Sequence, residues 1–476
     1  KTTDYEHNID VKLEAFPGSE RWFFSHWEGN LTGSNNPEIV TVNEEKNITS
    51  VFRERCCLRT FGGSESEAGQ AVIRSDDNRF VITGGSDSDD GDFDGMNRGG
   101  RDLYLLKTDV VGELDWVRSY GGSGADESRS LIRASDGGFV LAGWTTSNDG
   151  DFDGLNKGER DIFLLKTNSA GGTGWIRAYG GSGSEEAYSV IRSPDGGYLL
   201  TGWSDSDDGD LHSLNRGGQD AVLMKTNSQG VKQWVRTIGG SGPDRGFSTV
   251  LASDNGIVVA GWTNSVDGDF SGRTGTSGYD IFLAKFDPDG NKQWVKTYGG
   301  SGEDRPNSLL RAPDNGFVLA GYTRSSDGHF AGTNRVTEDI FLLKTGSNGF
   351  HQWTRTYGGS DMDIGTAVHP AMGGGYLLTG SAHSSNGDFE GLKPAGVRDI
   401  FLIKTDNNGN SEWIKAFGGN NRDEATAIYQ EPNNGQIILT GSTASNSRTF
   451  SGLKKGSSAV FFLKLDIDGN LFGSLD

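Results

Sequence analysis

Apolar residues in this chain come in short runs of five or six, each bounded by Gly, Asp, Asn or Ser, and the runs recur in groups of four. Residues 128–133, 139–144, 162–166 and 175–179 form one such group. Runs this short, rich in β-branched and aromatic side chains, predict strands rather than helices. The Ser-Asp-Gly-Gly link at 135–138 is a tight hairpin signal, as is Asp-Pro-Asp-Gly-Asn at 287–291. No helical periodicity of useful length appears. A parallel sheet with crossover helices is therefore excluded, and each group predicts an antiparallel four-stranded meander.

The groups repeat. Trp-Val-Arg-Ser-Tyr-Gly-Gly at 116–122 returns at 175–181, 234–240, 294–300, 353–359 and 413–419, with a weaker copy at 57–63. The second glycine of each pair is Gly63, Gly122, Gly181, Gly240, Gly300, Gly359 and Gly419, at steps of 59, 59, 59, 60, 59 and 60. Seven meanders at this period predict an all-β fold, a seven-bladed β-propeller spanning residues 56–476. Residues 57–61 look like the fourth strand of a unit yet precede the first, whereas the seventh unit stops after its third strand at 460–465. The N-terminal strand is expected to complete the last blade and remove an open edge. Residues 1–55 fall outside the repeat and read as a separate small β module.

Composition narrows the function classes. Glycine supplies 74 of 476 residues, about twice the usual share, as a turn-dense fold requires. Against 44 basic residues stand 65 acidic ones; the net charge of -21 repels phosphate backbones and anionic lipid surfaces, so nucleic acid is not an expected partner. Apolar runs stay far below the roughly 18 residues of a membrane helix, so no membrane insertion is expected. Two adjacent cysteines, Cys56 and Cys57, supply neither a disulfide framework nor a zinc site. They read as two thiols on opposite faces of the closing strand, with a vicinal disulfide as the alternative. A chain starting at Lys1 without a charged-then-apolar leader is expected to be a mature product or a fragment.

Two resemblances add to this. The motif Asp136-Gly137-Gly138-Phe139-Val140-Leu141-Ala142-Gly143, with Ser147-Asn148-Asp149-Gly150-Asp151 after it, is similar to the β-propeller repeats of large secreted or surface-attached bacterial proteins. Residues 11–52, with Phe24-Ser25-His26-Trp27-Glu28-Gly29-Asn30, Asn36-Pro37 and Ile48-Thr49-Ser50-Val51-Phe52, resemble the later part of a small bacterial surface β-repeat module whose early strands are short or missing here. The first resemblance implies an extracellular or cell-surface location and leaves the chemistry open, because such folds carry many functions.

In a meander the first-to-second and third-to-fourth turns share one face of the ring. The second-to-third loops and the links between blades share the other, where the long acidic loops lie. An Asp-Gly-Asp core appears there as Asp90 and Asp92, Asp149 and Asp151, Asp208 and Asp210, and Asp267 and Asp269. It weakens to Asp327-Gly328-His329 and Asn386-Gly387-Asp388, then is lost at Ser447-Arg448-Thr449. Aspartates about a glycine suit Ca²⁺, the candidate cofactor, which takes six to eight oxygens. The alternative is that they cap turns through backbone N–H groups. Trp144, Trp203, Trp262 and Tyr322 end the second strand beside these loops, where the other blades carry Gly85, Ser381 and Ser442. Rings beside carboxylates are what sugar recognition uses, which makes these four the candidate ligand-binding residues, with core packing as the alternative. Once-per-blade Trp116, Trp175, Trp234, Trp294, Trp353 and Trp413 are expected between sheets, and the lysines from Lys107 to Lys464 that end the third strands read as architectural.

Catalytic patterns are thin. The seven histidines share no position, and no Gly-x-Ser-x-Gly elbow occurs. Ser193-Pro194-Asp195-Gly196-Gly197-Tyr198 resembles the aspartate boxes of sialidase propellers, which stabilise hairpins away from the catalytic face. The leading expectation is a non-enzymatic binding or adhesion module of a larger chain or assembly, engaging a glycan or a surface protein through the acidic face. A polysaccharide lyase or glycoside hydrolase on that face, and a passive spacer, are the competing classes.

Overall fold

The structure is a computed structural model of the 476-residue chain; it describes residues 9–15, 22–32, 38–42, 46–54, 58–273, 278–332, 337–392, 397–453 and 455–471. Seven four-stranded antiparallel sheets succeed one another along the chain, as the repeat predicts. The second blade comprises Asp126–Arg133, Phe139–Thr145, Asp161–Thr167 and Thr173–Tyr179, each one to two residues longer than its apolar run because polar ladder residues extend it. Ahead of the ring, Ile9–Leu13 pairs with Glu38–Val42 and Trp22–Gly29 with Ile48–Glu54, giving two small sheets in the region expected to be a separate module. Among the described residues no helix is long and apolar enough to cross a membrane.

Second and third strands are buried on both faces, so they read as continuous apolar runs rather than alternating ones. Their side chains meet those of the next sheet. Leu103 and Leu105 of blade 1 pack with Leu141, Phe152 and Phe163 of blade 2, and the pattern repeats around the ring. The fourth-strand tryptophans lie between blades as expected, each over a glycine in the next blade's last turn. A Cβ at Gly230 would sit 2.6 Å from the Trp175 ring, so that turn admits no side chain.

Successive first strands lie against one another about the axis, and all seven carry a β-bulge at the same place, for example between Ser128 and Ser130. The bulged residue turns toward the neighbouring blade. Gln70 Nε2 donates to Glu127 Oε1 at 2.8 Å, Arg129 Nε to Glu186 Oε1 at 3.2 Å, Thr366 Oγ1 to the Ala425 carbonyl at 2.6 Å and Thr426 Oγ1 to the Gly69 carbonyl at 2.6 Å. The last of these joins blade 7 to blade 1.

Closure takes the expected route. Leu58–Phe61 pairs antiparallel with Ala459–Leu465, Leu58 opposite Leu463 and Phe61 opposite Val460. Leu58 and Phe61 are 5% and 3% exposed. Cys56 and Cys57 lie outside the described residues. Removing residues 1–62 uncovers the edge of Ala459–Leu465 and deletes two core side chains, a loss of at least about 3 kcal/mol, or a fall in Tm of at least about 3 °C for a ring of this size. Thermal melts should show that fall or outright insolubility, against a small change when only residues 1–50 are removed; equal melts for both truncations would reject closure by this strand.

Candidate functional site

On the turn face, the third-strand lysines of blades 1–5 tie down the first hairpin of their own blade, whereas Lys404 bonds Glu412 and Lys464 the Val110 carbonyl. Lys107 Nζ donates to Asp77 Oδ2 at 2.7 Å, Lys166 to Asp136 at 2.8 Å, Lys225 lies 2.5 Å from Asp195 and Lys344 Nζ donates to Asp314 at 2.8 Å. Asp195 of the sialidase-like hexapeptide therefore braces a hairpin.

On the loop face, the link entering each blade bends through Gly-Gly and leaves amide protons that no strand accepts. The Asp-Gly-Asp loop of that blade accepts them. In blade 2 the Gly121 N–H donates to Asp151 Oδ2 at 3.1 Å, Ser123 N–H to Asp149 Oδ1 at 2.7 Å and Gly124 N–H to Ser147 Oγ at 3.0 Å. Asp208 and Asp210, Asp267 and Asp269, and Asp90 and Asp92 do the same in blades 3, 4 and 1. The degenerate copies keep an acceptor in place: His329 Nδ1 faces Gly299 N–H, Asn386 Oδ1 faces Ser360 N–H and Thr449 Oγ1 faces Gly418 N–H. The second aspartate also takes a cation from the preceding blade, Arg98 on Asp151, Lys157 on Asp210, Arg216 on Asp269 and Lys455 on Asp92. Such a donor set does not fit a calcium cage: the carboxylates are turned to amides and cations, and among the described residues no three His, Cys, Asp or Glu side chains converge. Directly after each core stands an apolar side chain, Phe93, Phe152, Leu211, Phe270, Phe330, Phe389 or Phe450, buried to 2% exposure or less. These anchors recur even where the acidic core is lost, and a reading of the sequence centred on the aspartates passes over them.

Beneath the links lie pairs of buried carboxylates, one from the start of a third strand and one from the next blade's first strand. Asp102 meets Asp126 over Gly121, where a Cβ would come 2.0 Å from Asp102 Oδ1 and 2.9 Å from Asp126 Oδ2; Asp161 and Glu185 meet the same way over Gly180. Asp102 Oδ1, Asp161 Oδ1 and Asp220 Oδ1 are buried without a hydrogen-bond donor. Burial, reinforced by the paired Asp126 charge, pushes Asp102 up to about 7. Burial with Glu185 and Asp244 alongside raises Asp161 and Asp220 to about 6, and Asp304, with Asp280 nearby, rises to about 7.

Of the four candidate ligand-binding aromatics, which end the second strands on the loop face, the three tryptophans have their faces covered. Trp144, Trp203 and Trp262 are 8%, 4% and 4% exposed, and Tyr322 is half-buried. The Arg160 guanidinium lies 4.1 Å from the centre of Trp144, Arg245 lies 4.2 Å from Trp203, and Arg305 lies 5.2 Å from Trp262 and 4.4 Å from Tyr279. These rings carry arginines instead of offering open faces to a sugar.

The arginines form a pattern that changes around the ring. Each junction sets the last residue of a second-to-third loop beside a first-strand residue of the next blade. Three junctions hold neutralised pairs, Arg101 with Glu127 at 3.4 Å, Arg160 with Glu186 at 3.2 Å and Arg398 with Glu424 at 3.2 Å. At the junctions of blades 3 with 4 and 4 with 5 the charge moves to the strand and the acid disappears: Gln219 Oε1 accepts from Arg245 Nε at 2.7 Å, and Arg305 stacks on Tyr279. Arg305 pairs with Glu303 at 3.5 Å, an acid that Arg324 reaches at 3.6 Å while bonding to Glu338 at 2.9 Å, and Arg305 Nε is buried without a partner. The loop face is thus an acidic rim around an arginine-bearing mouth.

No family model matches the chain. Regulatory protein FlaEY of Caulobacter vibrioides is 28% identical over 179 residues, which cover 35% of this chain and 18% of that protein. Among solved structures, puromycin hydrolase superposes with a TM-score of 0.50 at 13% identity, covering 86% of this chain and 53% of that one. The RRP9 WD40 repeats give 0.45 at 10% identity over 85% and 96% of the two chains. At these identities the likeness concerns the fold alone.

The struts and the buried pairs each lead to a measurable outcome. Asp151→Asn keeps an oxygen for Gly121 N–H and loses only the Arg98 pair, a cost of about 0–1 kcal/mol. Asp151→Ala strands that amide, at about 1–3 kcal/mol. Melts in millimolar Ca²⁺ should preserve this order with the same increments, and a calcium-dependent gain present only in the parent would assign the loop to the metal. For pH, Asp102, Asp161, Asp220 and Asp304 hold their proton to about 6–7 folded against an ordinary 3.8. Their contribution is complete below about pH 4 and is lost as pH rises through 6 to 7. Asp136, Asp195 and Asp254, held below the usual range by their lysines, act oppositely and lose their contribution only as pH falls below that range. Tm should decline from pH 5 to 8, with Asp102→Asn raising it at pH 8 and not at pH 5; a flat profile would contradict the paired-carboxylate account.

Proposed function

We propose that the propeller is a non-enzymatic binding module of a secreted or surface-attached bacterial protein, engaging a glycan or a surface protein at the loop-face mouth of blades 2–5. The observation that supports it is the broken repeat. Positions that packing and ring closure demand recur in all seven blades, from the buried apolar anchors to the bulges. The residues at the mouth do not: Arg with Glu gives way to Gln with Arg and Tyr with Arg in one sector, where the aromatic second-strand ends also cluster. A fold held by repetition has no use for that asymmetry, whereas a ligand contacting one side of the mouth does. Glu127 and Glu186, the acids nearest the tryptophans, are engaged by Arg101, Arg129 and Arg160 and serve this reading as orienting groups.

A glycan array probed with the full chain tests it, alongside product analysis of any retained glycan. Arg160→Gln is expected to lower retention about tenfold, as loss of a charge-assisted contact does, while Asp195→Asn on the opposite face leaves it unchanged. Equal effects of the two substitutions would reject the mouth as the site. Cleavage of the retained glycan would make the protein an enzyme, and retention of nothing would favour the spacer.

A further inference from the structure

We infer that the mouth sector of blades 4 and 5 takes a carboxylate through Arg245, and that the ligand is a largely neutral glycan carrying isolated acidic sugars; this rests on the binding-module reading above. Arg245 is half-buried between Trp203 and Trp262, its guanidinium 4.2 Å and 5.5 Å from the two ring centres. Its neighbour across the junction is the neutral Gln219, and among the described residues no carboxylate pairs with it. Arg305 is held the same way between Trp262 and Tyr279, but it pairs with Glu303 at 3.5 Å, so Arg245 is the guanidinium left for a ligand. A guanidinium fixed by stacking keeps its fork of N–H donors in one orientation, matched to a carboxylate. A half-buried charge lacking an anion is also poorly solvated, so an incoming carboxylate supplies what the protein withholds.

Equivalent junctions show that the fold can place an acid there, because Glu127, Glu186 and Glu424 do so opposite Arg101, Arg160 and Arg398. The Arg245 junction leaves that acid to the ligand. The surroundings limit what carries it. Around the mouth, exposed Asp205, Asp207, Asp208, Asp267 and Asp327 on the loops of blades 3–5 repel a polyanion or an acidic protein surface. Beside the arginines, Gln219 and Tyr279 carry neutral hydrogen-bonding groups of the kind sugar hydroxyls use. One acid among neutral hydroxyls satisfies both constraints.

The test is calorimetric titration of the full chain with a xylo-oligosaccharide bearing one glucuronic acid, with the same oligosaccharide lacking it, and with a short neutral peptide in free-acid and amidated forms. The acidic oligosaccharide should bind at least about tenfold more tightly than the neutral one, the value of a charge-assisted bidentate contact. Arg245→Gln should abolish the difference. Arg245→Lys, which keeps charge and stem, should retain only part of it, and both variants are to be compared at unchanged Tm. Equal binding of the two oligosaccharides, or an acid preference that survives Arg245→Gln, overturns the inference. Tighter binding of the free-acid peptide than of the acidic oligosaccharide overturns the glycan assignment and identifies a chain terminus as the ligand. A neutral glycan whose retention fails in Arg160→Gln would leave the binding module standing while this inference falls.

Discussion

Everything on the loop face answers to one constraint: a chain passing from the outer strand of one blade to the inner strand of the next crosses the ring's radius in a few residues, and its amides have no strand to bond to. Buried amides without acceptors are not tolerated. The link is built of glycines because Asp102, Asp149 and Ser147 approach where a side chain would stand; a Cβ on Gly122 would sit 2.2 Å from Asp149 Oδ1. Acceptors, cross-blade cations and the buried apolar plug are parts of one strut per blade. The strut sets the loops at the rim and so frames the mouth.

That constraint explains which changes the repeat absorbs. An acceptor is required and a charge is not, so histidine, asparagine and threonine replace aspartate in blades 5, 6 and 7. The residue between the acceptors must adopt positive φ, met by glycine in six blades, as in Gly150 at +60°, and by Arg448 at +52° in the seventh. Arg448 is therefore strained, in the loop that has drifted furthest from the repeat.

Much of this was legible in the sequence. Strand runs, the 59-to-60 spacing and the orphan strand before the first unit specify seven blades and their closure because these depend on local turn chemistry and count alone. The site was legible only in part. Asp149 and Asp151 stand out as residues, yet a carboxylate that binds an ion and one that binds a glycine amide have the same spelling. The clue to the acceptor role lay in the substitutes, since histidine and threonine at one acceptor position preserve a hydrogen bond to the link. Trp144 and Trp203 were visible as an asymmetric series, but the arginines over them come from a different loop or the next blade, and pairing across blades is a three-dimensional fact. The buried carboxylate partners, such as Asp102 and Asp126, belong to different strands and look like ordinary strand-end polar residues.

The two kinds of buried charge in this ring are best understood together. Under the links, carboxylates face carboxylates, and burial raises their pKa so that a proton can be taken up without any partner as pH falls through 7 to 6. At the mouth, guanidiniums cannot lose their charge at any physiological pH and must be matched by an anion. Three junctions match them internally and Glu303 pairs with Arg305, whereas Arg245 has no carboxylate partner among the described residues. Where a group can neutralise itself, a missing partner has a structural resolution. Where it cannot, the missing partner has no internal resolution, and that difference in acid–base chemistry separates the buried carboxylate pairs of this propeller from Arg245 at its mouth.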